Sequence, residues 1–240
     1  MVENFLAVLS LESPLILNRP LVGDSLLAGI KFAHCHDPVI AIHDLPVAHV
    51  EDVPQISVLL LGPIASLRQA TIIQSMMRDM DHEPDLADML DKMPPASALN
   101  PSSGIFVNIW NTYHILDVRT VFFIGRGDID RVEQLLKSIP FIGSQHAKGY
   151  GQVANVDVIP VDTDNPMYGI VGRQNGRSRM LRPMPTRYSA MIPPDTEYII
   201  STETWKNPYN TRITGAVAEP CMVPHFANGE FFTEKMLLDM

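Results

Sequence analysis

The chain has 240 residues, 46% hydrophobic and 19% charged, enough apolar material to bury a core in one large domain or two small ones. Two cysteines, Cys35 and Cys221, are too few for a disulfide scaffold, and a reducing cytoplasm is expected. The longest apolar run, 56–65, is broken by Ser57, Gly62 and Pro63, and the N-terminus has no basic region, so neither a membrane span nor a signal peptide is expected.

The net charge of −9 speaks against a nucleic-acid partner, but its distribution does not. Residues 1–100 hold thirteen acids and five bases, whereas 165–194 hold Arg173, Arg177, Arg179, Arg182 and Arg187 with no acid. Binding follows the local field, so an acidic total is compatible with a basic groove.

In chain order, residues 4–12 read as a buried first strand. Ser13-Pro14 and Arg19-Pro20 mark an extended connection, and Asp24 is placed to cap a short helix carrying Leu26, Leu27 and Ile30. Residues 34–55 look like loop with short strands, 55–61 like a strand, and 66–80 like a helix with Ala70, Ile73, Met76, Met77 and Met80 inward. The acidic stretch 79–93, then Pro94-Pro95 and Asn100-Pro101, read as an insertion.

Strand character resumes over 104–110 and 116–124, the latter with Thr120-Val121-Phe122-Phe123-Ile124. A helix follows, capped by Asp128, with Ile129, Val132, Leu135, Leu136 and Ile139 on one stripe and Pro140 as its stop. Beyond a glycine-rich segment, Ala154, Val156 and Val158 alternate with Asn155 and Asp157 as a strand. The order of elements fits an α+β, ferredoxin-like (RRM-like) βαββαβ core, a sheet that commonly serves as an RNA platform. Residues 1–164 would form this domain, with an insertion around 34–101, and 165–240 an Arg/Pro-rich β extension packed on it.

The segment Phe141-Ile142-Gly143-Ser144-Gln145-His146-Ala147-Lys148-Gly149-Tyr150-Gly151-Gln152-Val153 holds the most chemistry. Glycine permits positive φ and close backbone approach, Lys148 suits a phosphate, and Tyr150 offers a flat stacking surface. It lies between helix and strand, the reverse of dinucleotide-binding loops, and Lys148 precedes glycine where a Walker A motif needs Ser or Thr. The reading as a tight αβ turn with incidental polar residues stands beside the RNA-contact reading. Arginines bind phosphate bidentately and stack on bases, which suits Arg173 through Arg187, read as an exposed loop, to the same task.

Metal readings are weaker. His34 and His36 would share one side of a strand, with Cys35 between them and His43 and His49 nearby, but the spacing matches no common zinc finger. Asp79-x-Asp81-x-Glu83-x-Asp85 mimics the start of a calcium loop, yet Pro84 stands where glycine is needed. No metal or cofactor is expected.

Ile142-Gly143 through Gly149-Tyr150-Gly151-Gln152-Val153 resembles the glycine-rich loop of the RAMP superfamily of CRISPR proteins. The resemblance extends to Phe122 through Asp128, Leu135-Leu136, Leu181 through Pro185, Ser13 through Leu17 and Asp24 through Ala28. Together these are similar to the handle-binding, Cas-five-like (Csf-three) subunit of type IV CRISPR effector complexes, over roughly residues 5–190. The resemblance implies a non-catalytic cap on the 5′ handle of the guide RNA (crRNA) that nucleates backbone subunits, sits beside the large subunit and meets target DNA only through the complex, as part of antiviral defence. It implies RNA contact by Gly143, Gln145, His146, Lys148, Gly149, Tyr150 and Gly151, with Arg126 reaching the same groove from the adjoining strand. Residues 34–60, ahead of 79–101, are expected to form the element wedged between backbone subunits, because their prolines and β-formers suit a hairpin.

Some handle-binding relatives cleave precursor RNA without metal, using His, Lys and Tyr. His146, Lys148 and Tyr150 would share a face if the next strand began near Lys148, so a metal-independent endoribonuclease is the enzymatic alternative. A protein-interaction module without RNA affinity, using the acidic face, is the third.

Overall fold

The computed structural model describes residues 2–74, 109–174, 177–203, 205, 219–226 and 231–238. The chain divides into two compact units, Met1–Leu67 with Leu116–Met240, and Arg68–Ile115. It is a mixed α+β structure of antiparallel sheets with few helices.

The first half runs β1 (Val2–Leu11), β2 (Leu15–Ile16), α1 (Gly23–Cys35), α2 (Pro38–His43), β3 (His49–Val50), β4 (Val53–Pro54), β5 (Leu60–Leu61) and β6 (Ile64–Gln74). Then follow β7 (Ile109–Val118), β8 (Thr120–Asp128), α3 (Ile129–Lys137) and β9 (Val153–Pro160). The C-terminal part holds β10 (Val171–Gln174), β11 (Arg177–Met180), β12 (Met184–Pro185), β13 (Ile199–Glu203), β14 (Glu219–Val223) and α4 (Glu234–Leu238).

The central sheet has the order β5-β8-β1-β9, antiparallel throughout. β1 and β8 are buried on both faces over most of their length, which is why they read as continuous apolar runs. Phe5, Ala7, Leu9 and Leu11 of β1 and Val121 and Phe123 of β8 face α1 and α3, meeting Leu27, Ile30, Val132 and Leu136. The alternate residues Leu6, Val8, Phe122 and Ile124 face Tyr168, Leu181, Phe232 and Leu237. Over β1 and β8 the face expected as an RNA platform is therefore not open: C-terminal segments occupy it.

A third core, including Met167, Ile170, Met180, Met184, Trp205, Cys221 and Met222, lies among the C-terminal strands. Arg182 is fully buried and ties these regions together. Its guanidinium donates to the carbonyls of Pro54 at 2.6 Å, Ile56 at 3.3 Å and Trp205 at 2.7 Å, and stands 3.6 Å from the Asp24 carboxylate, itself fully buried. Asp24 is thus not the helix cap. Val22 holds that position without a side-chain bond, and Asp24 sits in the first turn of the thirteen-residue α1, where its charge also favours the helix dipole.

Other expectations change as well. Residues 66–74, expected as helix, belong to β6, which lies beside β7, with the Thr71 and Thr112 hydroxyls 3.4 Å apart. The β-branched run Thr71-Ile72-Ile73 prefers that extended backbone, and 75–80 lie outside the described residues. The strand expected over 116–124 is two strands meeting at Arg119, and of 104–110 only 109–110 are described, in β7. Residues 34–60 are not one hairpin. Asp37 Oδ1 accepts from the N–H groups of Val39 and Ile40, with Pro38 in the first turn, so α2 forms, and β3 pairs β4 over only two residues each. The acidic stretch 79–101 lies outside the described residues.

Removing one member of a buried ion pair strands the other. Arg182→Ala is expected to lower unfolding free energy by about 3–5 kcal/mol, with Asp24→Ala in the same chain recovering part of the loss. Urea unfolding of the two variants measures both.

Candidate nucleic-acid interface

The glycine segment is a closed loop between α3 and β9. Asp128 caps α3, its Oδ1 accepting from the Arg131 N–H at 3.3 Å, and Val132 and Leu136 are buried beneath it. At the loop's neck the Ile142 N–H donates to the Gly151 carbonyl at 2.8 Å and the Val153 N–H to the Pro140 carbonyl at 2.9 Å. Phe141 and Gln152 form a bridge there.

A second set of bonds fastens the loop to the N-terminal connection. The Ser144 N–H donates to the Ile16 carbonyl, the Gly151 N–H to the Pro14 carbonyl, both at 2.9 Å, and the Gln152 N–H to Ser13 Oγ at 2.8 Å. Two motifs more than a hundred residues apart are thus one structure. Gly143 and Gly151 have φ of +85° and +71°, and a Cβ would lie 2.5 Å from the Ile16 carbonyl oxygen and 1.9 Å from that of Ile142 respectively. Gly149, with φ of +80°, has open space around it.

Between these pins the chain projects. His146–Lys148 form a turn of 3-10 helix whose residues are exposed, while Gln145 and Tyr150 are half-buried. Because β9 begins only at Val153, His146, Lys148 and Tyr150 do not alternate along a strand, which corrects that expectation. Among the described residues the three share no hydrogen bond. His146 instead stacks on Phe141, ring centroids 5.7 Å apart and planes 19° from parallel.

The register separates residues expected in one groove. Arg126 pairs with Asn4, whereas β9 starts opposite Leu11 at the other end of β1. The two positions are seven strand steps apart, about 23 Å at the usual strand rise, so Arg126 does not reach the glycine loop. Arg119 occupies the loop's end of the sheet instead. Its carbonyl accepts from the Leu11 N–H and its guanidinium lies 3.5 Å from the Glu12 carbonyl, while Glu12 accepts from the Gln152 amide at 2.6 Å. A lone arginine between two strands carries no signal until the register is known.

The arginine-rich segment is not an exposed loop. β10 and β11 form an antiparallel hairpin from which Arg173 and Arg177 extend exposed and Arg179 half-buried. Both Arg177 and Arg179 pair with Glu197, at 2.8 and 3.2 Å, and the Arg177 hydrogen bond, with both cationic charges, holds the Glu197 carboxyl below the usual carboxylate range. Arg187 pairs with Glu219 and with Asp52, and its guanidinium lies over the Tyr188 and Trp205 rings. Arg182, at zero exposure, is withdrawn from the RNA-facing set. Acids from outside 165–194 therefore neutralise most of the segment. Among the described residues Arg126, Lys148 and Arg173 carry no ion pair.

His34, Cys35 and His36 end α1, His36 as a left-handed cap with φ of +55°, so they do not line one side of a strand. No group of three or more His, Cys, Asp or Glu among the described residues is placed to hold a metal ion. No described helix is long and apolar enough to cross a membrane.

The architecture is that of an antiparallel α+β protein whose glycine-rich loop projects cationic and aromatic side chains. The family model of CRISPR type IV associated protein Csf3 matches residues 66–211, more than half of the chain, and the chain belongs to that family. The match covers the glycine loop and the arginine hairpin but not the 13–17 segment that fastens the loop. No curated protein matches the chain.

The two kinds of loop glycine should behave differently. Gly149→Ala meets only the left-handed backbone penalty, about 1–2 kcal/mol. Gly151→Ala adds a collision with a carbonyl and is expected to lose more stability and to expose the Ile142 amide to hydrogen exchange.

Proposed function

We propose that this type IV CRISPR-associated protein is the subunit of the effector ribonucleoprotein that grips the 5′ handle of the guide RNA, through the loop 143–151, without cutting it. The observation that carries the reading is a loop fastened on two sides whose exposed tip presents His146 and the unpaired Lys148. A preformed contact of that kind loses little entropy on binding. The strand order β5-β8-β1-β9, with α1 after β1 and α3 between β8 and β9, supports a ferredoxin-like core.

The chain would act in the cytoplasm with backbone subunits and a large subunit as neighbours, reaching target DNA only through them and needing no cofactor. Lys148 supplies the charge at the loop. Arg126 and Arg173 supply it elsewhere in the chain, and Arg177 and Arg179 contact RNA in competition with Glu197.

Titrating the full chain with labelled guide-repeat RNA over a range of salt tests this. Each of Lys148→Glu and Arg173→Glu is expected to weaken binding and to flatten the salt dependence by at least the ~0.7 logarithmic slope of one lost phosphate contact. Glu197→Gln is expected to tighten binding and steepen the slope. Affinity and slope unchanged across all three would sink the RNA reading and favour a protein-interaction module. Incubation of the same RNA with chelator present tests the rest: a discrete cut abolished by His146→Ala would make the protein an endoribonuclease.

A further inference from the structure

We propose that Phe141 and His146 form a preassembled stacking shelf for one unpaired RNA base, and that this shelf gives the loop an affinity component independent of charge. The inference rests on the RNA-gripping reading of the loop and adds a mode of recognition to it.

The two rings are nearly parallel, with a centroid separation of 5.7 Å that belongs to an offset stack. Phe141 is half-buried and held at the loop's neck by its bridge to Gln152 and by the adjoining Ile142 bond to Gly151, with the Ile142 side chain buried. His146 is exposed, so its ring continues the stack toward solvent.

The backbone between them is unusual. Gln145 adopts φ of +62° without being glycine, a conformation that costs free energy and persists only when its surroundings impose it. That residue and Gly143, at +85°, turn the chain so that position 146 comes back over position 141. His36 and Glu51 adopt the same conformation elsewhere, so the turn alone marks no site. Here it sets a planar ring at the exposed tip of a loop whose charged group, Lys148, lies two residues on.

Stacking and phosphate pairing have different physical signatures. A stacked base is held through its π-face, so the contact tolerates any base, favours the larger purines and is nearly indifferent to salt. A lysine–phosphate contact is indifferent to the base and disappears as salt rises.

Full-length protein is titrated with oligoadenylate, with oligouridylate of the same length and with a matching abasic strand, each at several salt concentrations. His146→Ala and Phe141→Leu are each expected to weaken oligoadenylate binding by roughly an order of magnitude. The salt slope should stay as in the parent, and oligouridylate should lose less. His146→Tyr, which keeps a ring, is expected to retain affinity for oligoadenylate. A 2-aminopurine base on the shelf should be quenched in the parent and in His146→Tyr but not in His146→Ala. Because Phe141 is half-buried, thermal unfolding is measured for its variant, and the exposed His146 variants carry the test without it.

If Lys148→Ala weakens binding while both aromatic variants bind like the parent, the phosphate grip stands and the shelf is wrong. If the aromatic variants flatten the salt slope as Lys148→Ala does, the shelf is again wrong, since they then act by disturbing the lysine. A parent chain that binds none of the three strands overturns both the shelf and the reading beneath it.

Discussion

The buried guanidinium of Arg182 is the constraint on which the main unit turns. A cation removed from water is tolerated only where its donors are satisfied, and here they meet the carbonyls of Pro54, Ile56 and Trp205 and the carboxylate of Asp24. Those partners come from the segment entering the sheet edge, from a C-terminal position and from the first turn of α1. Satisfying one side chain therefore fixes the helix-bearing side and the C-terminal side of the sheet with respect to one another. Once they are fixed, Leu181 joins Phe122 and Ile124 in one cluster, and the second face of β1 and β8 is covered.

That closure decides where a ligand can bind. An RRM-like sheet offers bases an open surface, but Tyr168, Leu181, Phe232 and Leu237 already cover this one. On the proposed reading, contacts with RNA come from loops and edges, and the glycine loop is fastened on two sides. Its hydrogen bonds to Pro14 and Ile16 also explain why a proline belongs in the connection after β1: its carbonyl accepts while its ring holds the backbone extended.

Legibility in the sequence followed from how local each constraint is. The Asp128 cap, the stripe of α3, the apolar run of β1 and the alternation of β9 are readable because they depend on neighbours within a few residues. The strand at 66–74 was misread because Ala70, Ile73 and Met76 also fit a helical stripe, and only pairing with β7 resolves a period shared by two structures. Arg182 was misread for the opposite reason. Its charge put it with the exposed arginines, and the acid that holds it stands 158 positions away in sequence, where no window of composition could connect them. Phe141 carries no signal in the sequence, since its pairing with His146 depends on a left-handed Gln145 that no propensity anticipates.

The arginine segment carries the wider lesson. Counting charges along a stretch of chain measures a field only when the stretch is isolated in space, and 165–194 is not. Glu197 takes two of its guanidiniums, Glu219 and Asp52 take a third, and Asp24 faces the fourth inside the core. Among the described residues Arg173 carries no ion pair there, nor do Lys148 on the loop, Arg119 at the loop's end of the sheet and Arg126 at its far end. On the proposed RNA-gripping reading, the exposed tip of the loop offers Lys148 as its lysine, and a strand held there under cellular salt needs a contact that salt does not screen. An aromatic ring beside the single lysine meets that need, because the stack resists screening while the lysine provides the attraction at a distance.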